Sequence, residues 1–283
     1  MPRKDRAGLD QIRGVYAAMM ALASGSADPR FERAFELVRR EAFVGPGPWR
    51  VGVYQRTVTT PSADPAFLYQ NVVVNLDAAR GINNGEPFLH AAWMGAVQPK
   101  PGDAICHIGA GTGYYTAILS VLTLPNGRVS AFEIDEALAT RARDNLWPFE
   151  GVSVTQGDAT RLPMPPSDLI YVNAGVVAPP LSWLQALRPG GRLIFPWRPS
   201  EAAALAIIVS RQEGGFSVKP LMASWFIPCV GASEAQDSKK TPDPREAWSA
   251  RSIWLTADRA PDASAVAIYG DLWFSSAEIP APE

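Results

Sequence analysis

Residues 107–115 read HIGAGTGYY: three alternating glycines that close the apolar run DAICHIG and open the helical text GYYTAILSVL. A short apolar run, a glycine turn and a helix form the first half of a βαβ unit, and the text that follows repeats the pattern. RVSAFEID (128–135) reads as a strand and EALATRARDNL (136–146) as a helix. VSVTQGD and DLIYVNA read as strands, LSWLQAL as a helix, and RLIFPW, after the turn RPGG, as a further strand. Strands alternating with helices imply a parallel sheet covered on both faces.

Working outward, GLDQIRGVYAAMMALA (8–23) places Leu9, Ile12, Val15, Tyr16 and Met19 at helical spacing, which predicts an amphipathic helix. A second helix is predicted over 28–40, with Phe31, Phe35 and Val38 on one side. Residues 44–66 are rich in Gly, Pro, Ser and Thr and read as a long excursion, functional or poorly ordered. EPFLHAAWMGAV reads as a helix. AAALAIIVS and SVKPLMASWFIPCV read as late strands closing the sheet, and the polar, proline-containing 232–248 as a linker or surface loop. SIWLTA and AVAIYGDLWFS suggest a hairpin or strands added to a sheet edge. The expected class is α/β: a Rossmann-like fold with a mostly parallel sheet, N-terminal helices and a C-terminal β extension. Its divisions are 1–80, 81–231 for the ligand-binding domain, and 232–283.

Of the 283 residues 47% are hydrophobic and 19% charged, the balance of a globular chain able to bury a core. A net charge of −2 without a Lys/Arg block speaks against a nucleic-acid partner held by phosphate neutralisation. Cys106 and Cys229 lie in apolar stretches, which predicts buried, reduced thiols. There is no CxxC pair or Cys/His cluster, so no metal site is expected. The N-terminus lacks a signal-type apolar core and no run approaches the roughly 18 apolar residues of a membrane span. A cytoplasmic protein without membrane partners is the expectation.

Ligands of open parallel sheets bind beyond the carboxyl ends of the strands. Gly109, Gly111 and Gly113 let the backbone approach such a ligand, and the helix N-terminus near Tyr114 favours negative charge. A dinucleotide fingerprint, GxGxxG, requires glycine at 114, where Tyr114 stands. This disfavours a nicotinamide dehydrogenase. The GxGxG present is the form associated with S-adenosylmethionine enzymes, whose cofactor has no pyrophosphate. Glu133 ends the next strand, 20 residues after Gly113, and suits the ribose hydroxyls; Asp158, after the third, suits the adenine amino group. Ala110, Tyr114, Ile134, Ala159 and Asn173 adjoin these positions and, with His107, complete the candidate cofactor set. The competing reading is a fold whose glycines only make turns.

At this point the chain resembles the protein-L-isoaspartate O-methyltransferase family over about residues 35–230. The resemblance rests on ELVRREAFV, LYQN (68–71), PFLHA (87–91), HIGAGTGYYTAIL, LRPGGRLIFP and WFIPCVG; the tail beyond about 235 falls outside it. It implies transfer of a methyl group from S-adenosylmethionine to a carboxylate oxygen, and protein repair through a succinimide. A carboxylate with a pKa of about 4 is ionised at neutral pH, so a chain with two histidines suits the chemistry.

Two positions depart from the family pattern. Its loop close to T-I-S-Q-P, with a hydroxyl near the reacting carboxylate, is here GINNGEP (81–87), without Ser or Thr. Asn83 and Asn84, with His90 of PFLHA, are the candidate catalytic residues. Glu86 would repel an anionic acceptor if it pointed inward, and INNG reads equally as a turn before the helix. His107 stands where the family has an acid that helps hold the cofactor's ammonium; a neutral imidazole can accept there, or simply end the strand. Tyr69 and Asn71 are further acceptor-side candidates, and Trp254, Tyr269, Trp273 and Phe274 shape a pocket, an oligomer contact or the packing of a hairpin. The reading is an S-adenosylmethionine-dependent O-methyltransferase acting on an isoaspartyl or another peptide or small-molecule carboxylate. The alternative is a non-catalytic S-adenosylmethionine-binding or interaction protein. The oligomeric state stays open.

Overall fold

The computed structural model describes residues 3–53, 56–234 and 238–280. The chain enters through α1 (Arg3–Ser24) and α2 (Arg30–Leu37), then the short strands β1 (Arg50–Val53), β2 (Arg56–Thr59), β3 (Val73–Asp77) and β4 (Ile82–Asn83). The alternating part follows: α3 (Pro87–Val97), β5 (Ala104–Ile108), α4 (Tyr114–Leu122), β6 (Arg128–Glu133), α5 (Glu136–Leu146), β7 (Val152–Gln156), β8 (Ser167–Val172), α6 (Leu181–Ala186) and β9 (Leu187–Trp197). It closes with β10 (Leu205–Gln212), β11 (Gly215–Ala223), α7 (Pro244–Ala247), β12 (Ser252–Leu255), β13 (Ala265–Ile268) and β14 (Leu272–Ser275). The strand orders are β2-β1-β3-β4 and β13-β14-β12-β11-β10-β9-β8-β5-β6-β7.

The Rossmann-like α/β class holds, and the large sheet is mixed. β5 pairs with β8, and β8 with β9, in parallel, as crossover helices require. From β9 onward every pairing is antiparallel: β9–β10, β10–β11, β11–β12, β12–β14 and β14–β13. The connection from Gln212 to Gly215 is too short for a crossover, so β10 and β11 form a hairpin.

The chain divides into two compact units: Met1–Asp103 with Ala110–Ala131 and Asp135–Thr155, and Ala104–Gly109 with Phe132–Ile134 and Gln156–Glu283. In the first unit α1 buries Arg13, Tyr16, Ala17 and Met20. Three of the positions expected on its apolar face instead face outward: Ile12, Val15 and Met19 are 41%, 64% and 47% exposed. Apolar residues run around most of α1, so spacing does not choose its inner face. Arg13 does, because its guanidinium meets the Tyr69 hydroxyl (2.8 Å) and Glu41 (2.9 Å) on that side. α2 buries Phe31 and Phe35, with Val38 just beyond it, as its pattern predicts.

The excursion over 44–66 is partly strand. β1 pairs with β2 from Arg50↔Thr59 to Val53↔Arg56, and with β3 through Val51↔Val74. Four-residue strands with mostly exposed positions carry no usable period, which is why the sequence reads as loop. Val44, Trp49, Val51, Leu68, Val72 and Val74 form their small core.

In the second unit the C-terminal strands are part of the main core. Trp197 stacks on Phe274 (4.2 Å, 13°) and donates its indole N–H to Val177 O (2.9 Å). Tyr269, Trp273 and Phe274 are buried and Arg259 covers Trp254 at 4.5 Å, so the aromatic tail is hairpin packing. The free edge of β13 is bridged at Ile268 by Lys240; Lys239 N–H donates to Ile268 O (2.8 Å) and Ile268 N–H to Lys240 O (3.0 Å). Of the linker 232–248, residues 235–237 lie outside the described residues, and α7 begins in a capping box of Asp243 and Glu246. Cys106 and Cys229 are free, buried thiols, pushed up by burial to about 11 and about 12. Among the described residues no helix is long and apolar enough to cross a membrane.

Because Phe274 is fully buried against Trp197, Phe274→Ala should lower the unfolding free energy by about 3–5 kcal/mol in urea titration. A change below about 1 kcal/mol would mean that the extension is not part of the core.

Candidate functional site

The glycine turn is built as its spacing implies: Gly109, Gly111 and Gly113 have φ of +73°, +57° and +96°, a left-handed region that side chains resist. Gly113 N–H closes the turn on Ala110 O (2.9 Å) and Asn145 Nδ2 donates to Thr112 O (2.9 Å). A Cβ on Gly113 would lie 2.7 Å from Leu146, whereas one on Gly111 would meet nothing within 4 Å. Tyr114 is buried, its hydroxyl paired with that of Tyr16 (3.2 Å) and its ring edge-on to Phe43. What Tyr114 offers a ligand at the turn is therefore its backbone.

In the second unit His107, Gly109, Glu133, Ile134, Asp158, Ala159 and Asn173 come together at the carboxyl ends of four strands. Three backbone bonds tie those ends: Gly109 N–H to Phe132 O (2.9 Å), Gly157 N–H to Glu133 O (2.9 Å) and Asn173 N–H to Ile108 O (2.8 Å). Glu133 is buried, and Ile134 O accepts from Gln156 Nε2 (3.1 Å). Asp158 Oδ1 accepts from the Thr160 backbone (2.9 Å) and hydroxyl (2.7 Å), and Ala159 O from the Trp183 indole (3.0 Å). His107 is fully buried, with Nε2 2.8 Å from Asn173 Nδ2 and its ring edge-on to Tyr171. Burial pushes the imidazole down to about 3, so it is neutral at physiological pH. Asn173 Oδ1 beside it is buried without a hydrogen-bond partner.

In the first unit GINNGEP is organised by a residue that local pattern does not single out. Arg40 is fully buried, and its fork donates to Asn84 Oδ1 (3.0 Å) and to the carbonyls of Leu68 (2.6 Å), Gln70 (3.1 Å), Val72 (2.5 Å) and Gly85 (3.4 Å). Asn83 is exposed and its Oδ1 accepts from Gly85 N–H (2.8 Å), an Asx turn. Glu86 is held by Asn71 Nδ2 (2.7 Å), and Asn71 Oδ1 accepts from Phe88 N–H (2.9 Å), so Asn71 fixes the start of α3. Tyr69 donates its hydroxyl to Glu41 and receives Arg13; burial raises its pKa well above the usual phenol range.

His90 is buried and stacks on Tyr115 (3.7 Å, 22°). A Cβ on Gly85, whose φ is +78°, would fall 2.6 Å from His90 Nε2. The imidazole thus occupies the space in which a side chain at 85 would begin. Among the described residues no three His, Cys, Asp or Glu side chains group as a metal site.

A family model described as "Protein-L-isoaspartate(D-aspartate) O-methyltransferase (PCMT)" matches residues 26–234. The chain belongs to this family. Among its relatives is the protein-L-isoaspartate O-methyltransferase of Methanopyrus kandleri, 31% identical over 167 residues, 57% of this chain and 74% of that one. Protein-L-isoaspartate O-methyltransferase 2 of Pelobacter propionicus is 30% identical over 226 residues, 78% of this chain and 91% of that one. Two solved structures share the fold. A protein-L-isoaspartate O-methyltransferase covers 86% of this chain and 73% of its own at TM-score 0.67 and 22% identity. A putative one from Plasmodium falciparum, in complex with S-adenosyl-L-homocysteine, covers 77% and 97% at TM-score 0.61 and 16% identity.

Counting back from Pro87, the hydroxyl position of the protein-L-isoaspartate O-methyltransferase loop falls at Gly85, and here His90 fills that space. Gly85→Ser should therefore destabilise the protein by about 1–3 kcal/mol through strain at positive φ and displacement of His90, measured as a lowered melting temperature. His107 has a folded pKa of about 3 against 6.5 unfolded, so the unfolded state binds the extra proton. Its contribution is complete above pH 6.5 and is lost as pH falls toward 3, at about 1.4 kcal/mol per pH unit. Urea titrations at pH 7, 6 and 5 should show this slope in the wild type, and His107→Gln should reduce it by that amount.

Proposed function

We propose that the chain is an S-adenosylmethionine-dependent O-methyltransferase whose acceptor is the free α-carboxylate of an isoaspartyl residue, the one left when the β-carboxyl carries the peptide bond, in a peptide or protein. The observation that carries this is the left-handed GxGxG turn followed by acidic residues at the ends of β6 and β7, in a chain of this family. The residues present fit the cofactor. Glu133 is assigned to the ribose hydroxyls, Asp158 to the adenine amino group, and the backbone of Ala110, Gly111 and Gly113 to close approach. Support for the ammonium contact comes from Asn173 Oδ1, a buried acceptor without a protein donor beside the neutral His107. His107, Gly109, Tyr114, Ile134 and Ala159 are also assigned to the cofactor.

When bound, S-adenosylmethionine supplies an electrophilic methyl group on a sulfonium leaving group. The acceptor carboxylate is ionised at neutral pH, so the chain needs to orient it and exclude water and needs no general base. Asn83, Asn84 and His90 are assigned to that orientation. Asn84 is held by Arg40, and the Asn71 amide that engages Glu86 offsets a carboxylate that would otherwise repel an anion. The reaction is assigned to the cytoplasm and to residues 81–231, without a nucleic-acid or membrane partner.

The test uses radiolabelled S-adenosylmethionine and paired peptides containing isoaspartate or aspartate. Base-labile methyl ester should form on the isoaspartyl peptide alone. Absence of label on both, with cofactor binding confirmed by calorimetry, would reject the isoaspartyl acceptor and favour a protein that binds without transfer or uses another carboxylate. In the same calorimeter Glu133→Ala should weaken S-adenosylmethionine binding by about tenfold or more, with the melting temperature as the check on folding.

A further inference from the structure

A cleft of about 460 Å³ opens in the first unit between the loop 44–50, β3 and α5. Its wall includes Pro46, Pro48, Trp49, Arg50, Asn75 and Arg141, and among the described residues no Asp or Glu lines it. Trp49 is buried and anchored by its indole N–H to Gly45 O (2.9 Å), which fixes one side of the cleft. Arg141 enters from α5, and a Cβ on Gly45 would lie only 3.2 Å from its Nη2, so glycine at 45 leaves room for the guanidinium. Arg141 makes no ion pair among the described residues, and Arg50 gives only its Nε, to Thr57 Oγ1 (2.9 Å). By contrast Arg80 of this unit pairs with Asp77 and Asp135, and Arg40 is saturated by carbonyls and an amide.

Two guanidinium groups without a protein carboxylate, in a cleft with a fixed indole and two prolines, form a receptor for a carboxylate carried on a peptide. Position supplies the link to the acceptor loop. Asn75, in the wall, is the ladder partner of Asn83, so the cleft begins one strand away from GINNGEP. Neighbouring strands lie about 4.8 Å apart and an extended peptide advances about 3.3 Å per residue, so a substrate engaged at the loop reaches the cleft within a few residues.

We infer that this cleft is a secondary specificity site that takes an acidic side chain flanking the residue to be methylated. The inference rests on the isoaspartyl reading above, which it deepens by naming the preferred substrate: isoaspartyl segments with a nearby Glu or Asp. Binding there tethers the substrate without touching the reacting atoms, so it acts on KM and leaves kcat unchanged.

The experiment uses N-acetylated, C-amidated isoaspartyl peptides carrying Glu or Gln at each of the four positions on either side. Both kinetics and calorimetric affinity are recorded. At one or two positions Glu should lower KM about threefold to tenfold relative to Gln at equal kcat, with the advantage shrinking in high salt. The Arg50→Ala/Arg141→Ala variant should raise KM for the Glu peptide to that of the Gln peptide and leave the Gln peptide unaffected. Equal KM for Glu and Gln at every position, or a preference that survives in the double variant, overturns the inference. If no peptide is methylated, the isoaspartyl reading fails on its own. The cleft is then judged by affinity alone, where equal binding of Glu and Gln peptides by the wild type overturns it. A free C-terminal carboxylate replacing the amide, tested in a Gln peptide, shows whether a chain end serves as well as a side chain.

Discussion

The shape of the chain around GINNGEP depends on one buried charge. Arg40 is removed from water without a carboxylate, which is tolerable only because its planar fork is filled by one amide oxygen and four backbone carbonyls. Those acceptors come from 68–72 and 84–85, segments with little regular structure of their own. The guanidinium takes the place of a strand partner for this backbone and holds both segments in one arrangement. The Asx turn at Asn83, the left-handed Gly85 and the inward His90 follow from where Arg40 fixes Asn84 and Gly85. A lysine, with a single ammonium, could not hold five acceptors in one plane.

One imidazole and two phenols beside the glycine turn are held in a single charge state by burial. His107 is neutral by burial, and Tyr114 and Tyr115 are pushed far above the usual phenol range by the same cause. The imidazole and both phenols therefore keep one protonation state throughout the physiological range. This suits an acceptor that arrives ionised. The fixed dipoles of amides and backbone can then orient an anion without competing for its proton.

Features written in neighbouring residues are legible in the sequence itself: the glycine turn, Glu133 and Asp158 at their strand ends, the helices α3, α4 and α5, and the family resemblance. Each is a short-range pattern, a period or a turn requirement. What the sequence hides depends on partners far along the chain. The inner face of α1 is chosen by Arg13 meeting Glu41 and Tyr69, 28 and 56 residues away, not by its apolar spacing. β1 and β2, at four residues each, are too short to show a period. Asn84 reads as a reactive loop amide, and its tie to Arg40 spans 44 residues. The antiparallel half of the sheet reads as strands, although β11 stops at Ala223 and 224–230 of SVKPLMASWFIPCV lie outside it, and strand direction follows from connection lengths and pairing.

The lysine segment on β13 changes what the sheet offers to its surroundings. An uncovered edge strand presents a row of N–H and C=O groups that can template another chain. Here Ile268, the last residue of β13, gives both its backbone groups to Lys239 and Lys240, and the Lys240 ammonium donates to Ala265 O (2.5 Å) at the other end of the strand. Extending the sheet by three C-terminal strands therefore does not simply move a sticky edge outward. The added strands bring their own stopper, which leaves less free backbone along this edge for another chain to pair with.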